Sequence, residues 1–174
     1  MAISVELIKK LRELTGCSVA DCKKALEESG GDLEKAIKSL QKKGLEIAKK
    51  KSDRVVSQGR IESYVHLGDK LGVLLEVNCE SDFVARNEDF KRFTKDVAMQ
   101  IAAANPTYLS QEDVPKEEID KSIDREVFVK EHCLLEQPFI KDPNLTIKDY
   151  LHSMIAKIGE NIVIRRFTRY QVGE

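Results

Sequence analysis

At 174 residues, with 41% hydrophobic and 34% charged content, the chain has the size and composition of one ordinary folded domain, or of a small module beside a larger one. Its 29 basic and 30 acidic residues leave a formal net charge of −1, which argues against nucleic acid or an anionic membrane as main partner, because both attract a basic excess. Its apolar runs are far shorter than a bilayer span, and Met1-Ala2-Ile3-Ser4 leads directly into a charged amphipathic pattern that does not read as a signal peptide.

Residues 1–44 read as three short helices. In the first, Leu7, Ile8, Leu11 and Leu14 recur at helical spacing, Ser4 is placed to cap the start, and Gly16 supplies a left-handed stop. Ser18-Val19-Ala20-Asp21 has capping-box spacing and opens the second helix, whose inward side is expected to carry Val19, Cys22 and Leu26 before Gly30-Gly31. Asp32 caps the third, with Leu33, Ala36, Ile37 and Leu40 as its apolar stripe and Gly44 as its end. So small a bundle has little interior for a reaction pocket and is better suited to presenting a surface.

Residues 45–57 are expected to form a linker, helical in its first part, with Lys49-Lys50-Lys51 as a solvated charge run. From about Gln58 a second unit begins. Residues 60–67 alternate, Ile61, Val65 and Leu67 against Glu62, Tyr64 and His66. A glycine-bounded turn over 68–72 follows, then a second alternating run with Val73, Leu75, Val77 and Cys79 together, which predicts a β-hairpin. Asn87 caps a long helix whose inward stripe is Phe90, Phe93, Val97, Ile101 and Ala104, and Asn105-Pro106 ends it. Residues 115–131 fit one helix with Ile119, Ile123 and Val127 inward, while Pro138 and Pro143 mark loops. Thr146 and Asp149 form another capping box, opening a helix that runs to Gly159, and the β-prone 162–170 is expected to add a third antiparallel strand to the hairpin.

Cys17, Cys22, Cys79 and Cys133 form no C-x-x-C pair and have no histidine at ligand spacing, so they read as reduced packing thiols. His66, His132 and His152 fall in separate elements, and no Walker-type phosphate loop occurs. Neither an enzyme nor a cofactor is indicated. The pattern points instead to a protein that acts by gripping another protein.

Four segments, in order, resemble the elongation factor Ts family, whose members recharge elongation factor Tu with GTP. They are Leu11 to Gly16 running on to Asp21-Cys22-Lys23-Lys24-Ala25-Leu26, then Gly31 to Ile37, then Leu75 to Asn87, and finally Ile158 to Arg166. The resemblance implies an α+β fold. It consists of a three-helix module similar to ubiquitin-associated domains over 1–44, a linker over 45–57, and a core over 58–174 whose three-stranded antiparallel sheet is covered by helices. It implies a cytoplasmic or organelle-matrix protein that binds elongation factor Tu and promotes GDP release by disturbing the partner's magnesium and phosphate site. Ser81-Asp82-Phe83-Val84 falls on the family's exchange element, and Arg12, Gly16, Val19 and Ala20 fall on the module's partner contact.

This chain departs from the family pattern in having Ser81 for a common Thr and Val19-Ala20 for two methionines. Its stretch between about Asp124 and Leu134 is shorter, and it carries one core copy without the inserted coiled coil of longer members. A homodimer through the core would supply the second copy. On spacing alone, Asp82 reads as a helix cap, Phe83 as a core side chain and Arg12 as a solvated arginine. A ubiquitin-associated-type adaptor is the alternative reading, although it would need neither the 81–84 stretch nor Ile158 to Arg166.

Overall fold

The computed structural model describes residues 3–174, apart from the side chain of Lys121, so the reading of Met1-Ala2 lies outside it. The chain is a mixed helix and sheet protein that divides into two compact units, Met1–Arg54 with Leu151–Asn161, and Val55–Tyr150 with Ile162–Glu174.

The first unit contains α1 (Val5–Thr15), α2 (Val19–Glu28) and α3 (Leu33–Lys51). Its caps follow the sequence: Ser4, Ser18 and Asp32 accept from the backbone N–H of Leu7, Asp21 and Lys35. Gly16 closes α1 at φ 66°, donating its N–H to the Arg12 carbonyl at 2.8 Å. Leu11, Cys22, Ala25, Leu26, Ala36 and Leu40 form its buried core. Two expected core residues are outside it: Leu14 and Val19 are each 54% exposed. The inward stripe of α1 turns away from Leu14 in its last turn. Val19 is the first residue of α2, ahead of the turn that carries Cys22 and Leu26 inward.

Gly44 does not end α3. The helix runs on to Lys51, so Lys49 and Lys50 stand exposed in its last turn, and Lys51 donates to the Gly159 carbonyl. Gly44 keeps a right-handed backbone and is buried facing the backbone at His152, where a Cβ would sit at ordinary van der Waals distance, 3.6 Å from the carbonyl oxygen. Asn161 fastens the end of this segment by donating to the Ser52 and Arg54 carbonyls at 3.3 and 2.9 Å.

In the second unit, β1 (Gln58–Val65) and β2 (Leu71–Cys79) form the expected hairpin, and β5 (Ile162–Gln171) joins the other edge of β2. The sheet is antiparallel with strand order β1-β2-β5, which puts β2 in the centre. Val73, Leu75, Val77 and Cys79 are buried on one face, where α4 (Asp82–Arg86) and α5 (Glu88–Ala104) pack on β1 and β2. Alternation in β1 is real, but its apolar side is the open one. Ile61 and Val65 are exposed, whereas Glu62 faces inward, accepting from Thr94 at 2.9 Å and pairing with Arg60 at 2.9 Å.

Between α5 and the last helix the chain departs most from expectation. The stretch read as one helix is two, α6 (Lys116–Lys121) and α7 (Arg125–His132), because Ser122 turns extended and Asp124 caps a new helix by accepting from Glu126 and Val127. The break changes the helical phase, leaving Ile123 and Val127 exposed and burying Val129 with Val114 and Cys133. A small hairpin of β3 (Pro138–Phe139) and β4 (Asp142–Thr146) stands where only loops were expected. Gln100 ties α5 to this region: its Nε2 donates to Gln137 Oε1 at 3.1 Å, and its Oε1 accepts from the Ile140 N–H at 2.9 Å. Asp96 is buried and meets both Lys141 Nζ at 2.6 Å and the Tyr150 hydroxyl at 3.1 Å. Thr146 and Asp149 make the expected reciprocal cap at the start of α8 (Ile147–Ile158). Among the described residues, no helix is long and apolar enough to cross a membrane.

Candidate partner-binding surfaces

The strongest candidate begins where the central strand ends. Cys79 is buried, and its thiol donates to the Ser81 carbonyl at 3.2 Å. The chain then enters α4, for which Ser81, in extended conformation, accepts the Val84 N–H on its side-chain oxygen at 3.4 Å. Five residues are too few for a self-sustaining helix, so α4 depends on its attachments. Val84 is buried against the unit's interior. Asn87 donates its N–H to the Val84 carbonyl and caps α5 with its side chain, binding the two helices end to end.

That anchoring aims the remaining side chains outward. Phe83 is 82% exposed, an unusual position for a residue whose burial is worth about 1.5–3 kcal/mol. Asp82 is the first residue of the helix, not its cap, and its carboxylate meets the guanidinium of Arg86 at 3.2 Å. The four residues singled out in the sequence therefore split into two jobs. Ser81 and Val84 hold the element, while Asp82 and Phe83 are presented. Arg86 was missed, although its i,i+4 spacing from Asp82 was a readable signal.

The second candidate lies in the first unit. Arg12 and Val19 are exposed and Gly16 half-buried. All three border one cleft of about 340 Å³, with Asp21, Lys43 and Lys157 on its rim. Ala20 is exposed but does not line it. Lys43 is hydrogen-bonded to Asp21, whose carboxyl is held below its ordinary range first by Lys43 and then by the Ser18 hydroxyl. Sequence spacing does not point to Lys43 or Lys157; each comes from a segment far in sequence from the stretch that carries Arg12, Gly16, Val19 and Asp21.

Burial pushes the thiols of Cys17 and Cys22 up, and that of Cys133 to about 11, away from the reactive thiolate. Among the described residues no group of three or more His, Cys, Asp or Glu side chains is arranged to hold a metal.

The family model described as "Elongation factor TS" matches residues 4–128 and 123–174. The two matched segments overlap over residues 123–128. Among similar proteins are the elongation factor Ts of Caldanaerobacter subterraneus subsp. tengcongensis, 51% identical over 99% of this chain and 98% of the relative, and that of Carboxydothermus hydrogenoformans, 50% identical over 99% and 90%. The elongation factor Ts of Methylacidiphilum infernorum is 50% identical over 99% of this chain and 96% of its own length.

Proposed function

The chain belongs to the elongation factor Ts family, a family of translation elongation factors, and on that premise we propose that it is the guanine-nucleotide exchange factor of elongation factor Tu. It carries out no chemical step. A G protein holds GDP tightly, in part through a magnesium ion bridging phosphate and protein oxygens. A factor that binds the nucleotide-poor state better than the GDP-bound state must weaken GDP by the same factor. The observation that carries this reading is Phe83, a large apolar side chain left in water on a short helix anchored by Ser81, Val84 and Asn87 at the end of the central strand. Phe83 acts as an apolar wedge, and Asp82 supplies a negative charge beside the helix that holds the partner's magnesium.

The three-helix module, in the ubiquitin-associated style, gives a second and separate contact through Arg12, Gly16, Val19 and Ala20. Two tethered contacts raise each other's effective concentration. Nucleic acid and membrane are not partners in this reading, and its setting is the cytoplasm. The open sheet face, with Ile61, Val65, Leu74 and Tyr170 exposed, supports homodimerisation through the core.

The test is release of a fluorescent GDP from elongation factor Tu, followed by stopped flow with and without the chain. Acceleration by orders of magnitude is expected. Release at the spontaneous rate, with the complex demonstrably formed, would refute the proposal.

A further inference from the structure

Asp82 and Arg86 are the first and last residues of α4, joined by an ion pair of 3.2 Å along the side of the helix. The Arg86 side chain is largely in solvent and that of Asp82 about half so, so the pair adds little to stability. Its geometric effect is larger. A carboxylate at the first position of a helix is drawn back toward the unsatisfied N–H groups of that same turn. The guanidinium one turn further on draws it the other way, along the side of α4. It also sets a positive charge beside a carboxylate that, on the reading above, must approach a phosphate-bearing site, where an uncompensated anion is repelled.

We propose that Arg86 is a positioning residue of the exchange element, holding Asp82 in its partner-facing orientation and offsetting its charge during approach. This rests on the proposed exchange function. Because the pair is short, exposed and confined to one helix, its effect runs through Asp82, with the fold left unchanged. Lysine at 86 keeps the charge and the i,i+4 reach but not the planar fork, so it preserves most of the effect. Glutamine keeps length and helix propensity and removes the charge.

The experiment is a double-mutant cycle on GDP release from elongation factor Tu with Asp82→Ala, Arg86→Gln and both together, plus Arg86→Lys alone. Arg86→Gln is expected to slow stimulated release by roughly two- to five-fold, the span of one exposed ion pair, with an unchanged melting temperature. Arg86→Lys recovers most of that loss. In the Asp82→Ala background, Arg86→Gln has no further effect. Two results overturn the inference alone while leaving the exchange reading intact. One is Asp82→Ala slowing release while Arg86→Gln does not; the other is Arg86→Gln costing the same in both backgrounds. An Asp82→Ala chain as active as the parent removes both the assignment of the element and the role of Arg86.

Discussion

Replacing Phe83 by Ala separates the two things a buried-type residue in an exposed position can be doing. In the folded chain the ring is 82% exposed, so its loss removes almost no interior packing. Alanine is also the better helix former, by about half a kcal/mol. The melting temperature should therefore stay within a few degrees of the parent. If Phe83 becomes buried only in the partner, the loss falls on the complex: about 1.5–3 kcal/mol for a fully buried phenylalanine. That corresponds to a roughly 10- to 150-fold weaker hold on the nucleotide-poor state. Adding Asp82→Ala removes the pair with Arg86, at a further cost in exchange and little in stability. Stopped-flow GDP release gives the first quantity, and thermal melting by circular dichroism the second. A core phenylalanine behaves oppositely, costing about 3–5 kcal/mol and lowering the melting temperature by about 6–20 °C for a chain of this size. That outcome, or unchanged release kinetics with an intact fold, would refute the wedge.

Gly59→Ala should destabilise the core by about 1–3 kcal/mol or more, because its Cβ would fall 2.3 Å from the Val77 carbonyl oxygen at a φ of 151°; urea denaturation measures it. The α2 cap should loosen on acidification. The Asp21 carboxyl is held below its ordinary range by Lys43 and Ser18. Its contribution is therefore present above the unfolded-state value, about 3.9, and is lost as pH falls through the lower folded value. Amide exchange of Asp21 and Cys22 between about pH 5 and 2.5 reads this, and Asp21→Asn should abolish the dependence. Leu74→Glu, on the open sheet face, should convert a dimer to a monomer in light scattering without altering the melting of the isolated fold. A parent chain that is monomeric at high concentration while fully active in a one-to-one complex would sink the dimer.

Much of this fold is legible in the sequence because its signals are local. Ser4, Ser18, Asp32, Asn87 and the Thr146–Asp149 pair cap helices by contacts within three residues, which spacing alone reveals. Whether an element continues or which face it buries depends on what packs against it. Gly44 reads as a stop, yet it lies buried inside α3, facing the backbone at His152, a neighbour distant in sequence. In β1, alternation identifies two faces without saying which of them α4 and α5 cover. The break between α6 and α7 is set by Asp124, whose capping competes with a continuous apolar pattern from Ile119 to Val127.

The site divides in the same way. Five residues cannot display a helical period, so α4 leaves no trace in hydrophobic patterning. Hydrophobicity by itself assigns Phe83 to the interior, and only resemblance to the family pointed outward. The ring is exposed, contrary to what hydrophobicity assigns. Arg12, Gly16 and Val19 converge on one cleft through the tight turn at Gly16, a local feature. Lys43 and Lys157 reach the same cleft through tertiary packing that sequence spacing does not encode.

Differential binding is the centre of this account, and calorimetric titration of elongation factor Tu with the chain tests it directly. Affinity is measured once with the partner nucleotide-free and once with it saturated by GDP and magnesium. The nucleotide-free form should bind the chain more tightly, and the ratio of the two affinities should equal the factor by which the chain weakens GDP in a separate titration. Equal affinity for both forms would mean that the chain binds without displacing nucleotide, and would contradict the account.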